Sequence, residues 1–252
     1  MSFNSREYRN KLGFTNQATL KKYFKATDII SINWDKIKKY NQRLKNIFMG
    51  INCAVHEDIR LSDVSTIDAI VDDAYQILSS SNIISRLNNY GRTPEDVYYS
   101  WMRGYVVCKY FSKALSLVFN IPQEEIRSVG QDQLTNIGTF SQSPIADLEI
   151  TVDDKIIRLE VQSGFTGAND IKRHKVQEAR RIFNQSCTYS YVIHFDLFNG
   201  AVAIIDISNI EDDNMNWEHR SQFEDQVVFA IPGNAFKWFL PNPPPSYSDI
   251  LF

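Results

Sequence analysis

The sequence predicts an α/β protein with a mixed central sheet and a helical N-terminal segment, and three observations predict it. First, "DLEITVDDKIIRLEVQ" alternates apolar and polar residues through two runs joined by two aspartates, the pattern of an antiparallel hairpin with one buried face. Second, the amphipathic stretch "NDIKRHKVQEARRIF" is followed by the apolar strand "YSYVIHFDL". A strand, helix and strand of this length imply a right-handed crossover to a parallel neighbour, so one sheet holds both pairing senses. Third, the chain ahead of the hairpin reads mainly as helices.

In order, residues 1–60 form a basic helical N-terminal region and residues 61–252 the domain that carries the sheet. "KLGFTNQATLKKYFKATDI" has a polar turn after a glycine, with Thr15 or Asn16 placed to cap a short helix, loosely similar to a helix-turn-helix. "NWDKIKKYNQRLKNIFMGI" is a basic amphipathic helix with Ile37, Tyr40, Leu44, Ile47 and Phe48 at helical spacing, and "STIDAIVDDAYQIL" is another helix. "RTPEDVYYSWMRGYVVCKYFSKALSLVF" predicts one long buried helix capped by Thr93, with Pro94 in the first turn. A short strand in "EEIRSVG" and the polar loop "GQDQLTNIGTFSQS" lead into the hairpin. After it, Asn169 or Asp170 is expected to cap a helix that turns Ile171, Val176, Ala179, Ile182 and Phe183 inward. "GAVAIIDIS" and "DQVVFAIP" predict two further strands, and the proline-rich tail is extended.

The hairpin has one awkward pair. With Asp153 and Asp154 as the loop, Glu149 faces Arg158, but Asp147 faces Glu160, and Gln162 lies on the same face. Directly opposed side chains have Cβ atoms about 5 Å apart, where like charges are destabilising. A hard divalent cation removes the conflict, since Mg2+ takes carboxylate, water and phosphate oxygens. The competing reading is a wet sheet face with both carboxylates splayed into water.

Composition is that of a soluble globular protein, and no apolar run approaches membrane-spanning length. The first residues carry no apolar signal core, and three cysteines without paired spacing fit a reducing cytoplasm. The formal net charge is -3, yet residues 1–46 hold eleven Lys and Arg against three Asp and Glu, a surplus of eight positive charges that points modestly to nucleic acid. His194 alternates within an apolar strand and reads as a hydrogen-bonded core histidine. Trp101, Trp217 and Trp238 read as core anchors and Cys108 as a buried thiol.

The order of helix, strand, hairpin, basic helix and strand over residues 93–208 resembles the αβββαβ core of the PD-(D/E)XK nuclease superfamily, which includes most type II restriction endonucleases. Asp147 and the run Glu160, Val161, Gln162 carry the resemblance. It implies a restriction-endonuclease-like fold in which Asp147 and Glu160, with the Val161 carbonyl, hold Mg2+ and Gln162 positions the attacking water. Two features depart from the family pattern: Pro144 lies three residues before the first acid, and Gln162 replaces the usual lysine, an E-x-Q variant. Lys172, His174 or Lys175 would then supply the missing positive charge or contact phosphates. The implied protein is a cytoplasmic Mg2+-dependent endonuclease acting on double-stranded DNA as a homodimer, with no membrane partner and with the polar loop at residues 130–143 as the expected base reader. A DNA-binding regulator with a degenerate nuclease fold is the alternative. A retaining glycosidase using Asp147 and Glu160 also fits their spacing, but the basic flanking helix disfavours it.

Overall fold

The computed structural model describes residues 4–14, 16–24, 31–87, 92–129, 134, 147–165, 169–210, 216–220 and 226–250. Helices α1 (Ser5–Leu12), α2 (Gln17–Phe24), α3 (Trp34–Ala54), α4 (Ser65–Ser80), α5 (Pro94–Tyr110) and α6 (Ser112–Phe119) come first. Strands β1 (Arg127–Ser128), β2 (Leu148–Val152), β3 (Lys155–Gly164) and β4 (Asp170–Lys172) follow, then α7 (Arg173–Ser186) and β5 (Tyr189–Asp196). The chain ends with β6 (Ala201–Asp206), β7 (Trp217–Arg220), β8 (Gln226–Ala230), β9 (Phe236–Phe239) and α8 (Tyr247–Ile250).

The main sheet runs β1-β2-β3-β5-β6-β9. Every neighbouring pair is antiparallel except β3 and β5, which are parallel and joined through α7. This is the mixed α/β sheet with αβββαβ order that the sequence predicts. Its two faces are covered differently. Leu148, Ile150, Ile157, Leu159, Val161 and Phe195 pack on the α3–α6 layer, where Leu44, Phe48, Val71, Tyr98, Met102 and Phe111 are buried. On the other face, Val192, Ala203 and Ile205 meet Val176 and Ala179 of α7 and Phe229 of a second, three-stranded sheet ordered β4-β8-β7. At roughly 25 cal/mol per Å2 of apolar area, such two-sided burial is the main driving force for the fold.

Local signals set several boundaries. The Thr93 side chain accepts the Asp96 N–H, and Pro94 fills the first helical position, where no amide donor is needed. Gly13 ends α1 at φ 81°, a left-handed conformation that costs glycine little, and Asn16 Oδ1 accepts the Thr19 N–H ahead of α2. Thr15 lies outside the described residues. The tail docks through Trp238 Nε1, which donates to the Asn242 carbonyl, and through Tyr247, whose hydroxyl donates to Tyr191.

Several expectations need correction. The long helix from Pro94 breaks at Phe111 into α5 and α6, because the chain turns there to keep Phe111 and Leu115 in the core. Ile47 is exposed, and Asn41 takes an inward place on α3, held by the Tyr98 hydroxyl. Asp170 does not cap α7: Asp170–Lys172 form β4 against β8, and the helix starts at Arg173 with no side-chain cap. Cys108 and Trp217 are half-buried. Among the described residues no helix is long and apolar enough to cross a membrane.

Candidate active site

The site is built on the hairpin. Asp153 and Asp154 both take left-handed backbone, at φ 48° and 60°, which makes their two-residue loop a type I′ turn. That turn matches the twist of the strands and sets the register: Val152 faces Lys155, Glu149 faces Arg158 and Leu148 faces Leu159. The ladder stops there. Asp147 is the residue just outside it, half-buried, and its Oδ2 accepts the Val161 N–H at 2.8 Å. A strand residue directs its N–H and C=O to the same edge, so the Val161 carbonyl faces the Asp147 side too. Pro144 lies outside the described residues, as does the polar loop apart from Leu134.

Odd-numbered residues of β3 enter the helical core, so Arg158, Glu160 and Gln162 leave the opposite face, under α7. The crossover brings the first turn of α7 over them, and Lys175 forms a close ion pair with Glu160 Oε1. Both side chains are largely withdrawn from water, at 20% exposure for Lys175 and 13% for Glu160. Lys172 and His174 are exposed nearby. Partial burial, then the charges of Lys172 and Lys175, lower the His174 pKa and favour its neutral form. Among the three candidate cations, Lys175 forms the ion pair with the Glu160 carboxylate.

Gln162 is half-buried, and its register partner on β5 is His194. His194 is 3% exposed, with Nε2 2.7 Å from Asn169 Oδ1. Burial pushes its pKa down to about 4, against the opposing pull of Asp196 and Asp170, so the ring is neutral at pH 7. Gly164 lies flat against this pair. A Cβ at that position would come within 2.9 Å of His194 Nε2 and 3.0 Å of Asn169 Oδ1. Sequence reading missed Asn169 in this role and missed Arg103 of α5, whose guanidinium lies 4.9 Å from the Phe165 ring centroid just past β3. Neither carries a motif signal; both act through contacts the fold creates. On the α5 side, Asp147 borders a cleft of about 530 Å3 lined by Trp101, Tyr105, Lys109 and Leu148.

The expected ligands, Asp147, Glu160 and the Val161 carbonyl, would offer only oxygen donors. Such hard donors suit Mg2+ with water and phosphate oxygens completing the shell. Among the described residues no three His, Cys, Asp or Glu side chains cluster, so a metal here would rely on Asp147 and Glu160.

No family model matches the chain, and no curated protein is similar to it in sequence. Among solved structures, the chain is similar to Hjc of Archaeoglobus fulgidus, a Holliday junction resolvase from an archaeal hyperthermophile. The two are 11% identical, the match covers 53% of this chain and 89% of that one, and the TM-score is 0.32. The fold assignment rests on the strand order and pairing described above.

Proposed function

We propose that this chain is a Mg2+-dependent endonuclease of the PD-(D/E)XK kind that cuts double-stranded DNA at a specific site, as type II restriction enzymes do. The reading is supported by two carboxylates on or beside one hairpin, Asp147 against the Val161 N–H and Glu160 in an ion pair with Lys175. Two acids opposed on a strand pair would be unfavourable without a cation, and Lys175 brings an ammonium to Glu160.

Asp147, Glu160 and the Val161 carbonyl are the residues that would hold the metal. When bound, Mg2+ lowers the pKa of a coordinated water and neutralises charge growing on the phosphate. Gln162 orients the attacking water. Lys175 provides the positive charge that Gln162 cannot and would meet the phosphate from α7. Lys172 contacts backbone phosphate, and His174, held neutral, is a hydrogen-bonding partner rather than a cation. Cutting both strands of a two-fold symmetric site calls for a two-fold dimer, and the basic N-terminal segment adds sequence-independent grip.

The test is incubation of the purified protein with unmethylated phage DNA in Mg2+ or in EDTA, alongside Asp147→Ala and Glu160→Ala. Discrete fragments that need Mg2+ and vanish in both variants are expected. A smear would keep a nuclease and remove site specificity. A gel shift with intact DNA would favour the regulator with a degenerate nuclease fold.

A further inference from the structure

His194 presents a chemical problem that the proposed mechanism does not use. The Asn169 side chain bridges two groups, His194 Nε2 and the Asp196 carboxylate. Asp196 is also held by the Phe198 and Asn199 N–H groups and by the Asn199 side-chain amide. These bonds outweigh its burial and keep its pKa below the usual carboxylate value, so it is ionised at neutral pH and can only accept. Asn169 must therefore donate its Nδ2–H to Asp196 and turn Oδ1 to the histidine. A carbonyl oxygen can only accept, so His194 carries its proton on Nε2. Nδ1 is then a bare lone pair.

That lone pair is buried, and among the described residues it has no hydrogen-bond partner. Buried acceptors are rarely left this way, and each one calls for an explanation. His194 is paired across the parallel ladder with Gln162, and both side chains leave the same face of the sheet. Neighbouring strands lie about 4.8 Å apart, so rotation of the Gln162 side chain brings its amide to Nδ1. The Gly164 position, with no Cβ to push the ring away, lets the imidazole lie close over β3.

We infer that His194 is a positioning residue: its Nδ1 accepts the Gln162 amide N–H and thereby turns Gln162 Oε1 toward the attacking water. The direction of that amide matters chemically. An oxygen facing the water accepts one of its protons and leaves a lone pair to attack phosphorus. An NH2 facing the water would donate into that lone pair and block it. A glutamine can present either end, and the fixed tautomer of His194 selects the productive one. Aspartate, asparagine, histidine and glutamine form one directed chain of hydrogen bonds from Asp196 to the water. This inference rests on the water-orienting role proposed for Gln162.

The test uses the full chain labelled with 15N-histidine, followed by long-range 1H–15N correlation at neutral pH. The expected result is His194 in the Nε2–H tautomer with Nδ1 shifted by a hydrogen bond, and in Gln162→Ala that Nδ1 resonance moves to the unbonded value. A proton on Nδ1, or an Nδ1 resonance indifferent to Gln162→Ala, would overturn the inference. This readout needs no turnover, so its failure is distinct from failure of the nuclease reading. In cleavage assays His194→Phe should lower kcat about 10–100-fold with KM unchanged, the range for partners that orient functional ligands. In a Gln162→Ala background the same change should cost nothing further, whereas multiplying losses would mean that His194 only packs.

Discussion

Replacing Lys175 with methionine isolates its ion pair with Glu160. The substitution keeps the length of the stem and removes the ammonium, so Glu160, with 13% of its side chain exposed, loses its ion pair with Lys175. Breaking a fully buried pair costs about 3–5 kcal/mol, and an exposed pair contributes about 0–1 kcal/mol. This pair lies between those limits, so a loss of about 2 kcal/mol is expected. For a chain of this size that lowers Tm by roughly 4–8 °C. Thermal unfolding followed by circular dichroism in EDTA measures it. Titrating Mg2+ should then narrow the gap, because a carboxylate deprived of its ammonium gains more from a cation and ligand binding stabilises the folded state by mass action. A variant with unchanged Tm in EDTA would refute the reasoning, since Glu160 would then be stabilised by something other than Lys175.

Other consequences follow from the same geometry. Gly164→Ala should cost about 1–3 kcal/mol in urea unfolding, the range for overpacking, because the new Cβ falls 2.9 Å from His194 Nε2. His194 titrates at about 4 when folded, against an ordinary value of 6.5. The unfolded chain thus binds that proton more readily, and stability falls as pH drops from about 6.5 toward about 4. At pH 5 the loss from this group is about 2 kcal/mol relative to pH 7.5, and urea unfolding of His194→Phe should lack that component. Lys172→Ala should reduce the slope of log affinity against log salt for DNA by about 1, without changing which sequences are bound.

What was legible in the sequence followed from short-range rules. The hairpin register could be read because period two and a two-residue loop leave little freedom, and the observed pairs from Val152–Lys155 to Leu148–Leu159 are those the alternation requires. The crossover to β5 was legible because a helix between two apolar strands has one favoured hand. The break at Phe111 was not, since apolar residues continue on both sides of it and no glycine or proline marks it. β4 was hidden for a different reason. Asp170, Ile171 and Lys172 are strand only because β8 pairs with them from more than fifty residues away. The site divides the same way. Asp147, Glu160 and Gln162 lie on or beside one hairpin and share a local signal. Lys175 could be named as one of three candidates, but its selection depends on how α7 settles over β3. Asn169 and Gly164 both meet His194, and that contact exists only after the sheet forms.

The Val161 amide makes the site observable from within. Its N–H is held by the carboxylate of Asp147 rather than by a strand carbonyl, in the middle of an otherwise regular β3. Amide hydrogen exchange at this one position should therefore report the state of a side chain, while its neighbours report the opening of the sheet. Protonating Asp147, removing it, or drawing it toward a cation changes the protection of a single backbone proton. The cation binding proposed at the end of the hairpin would thus be timed by exchange, without a substrate.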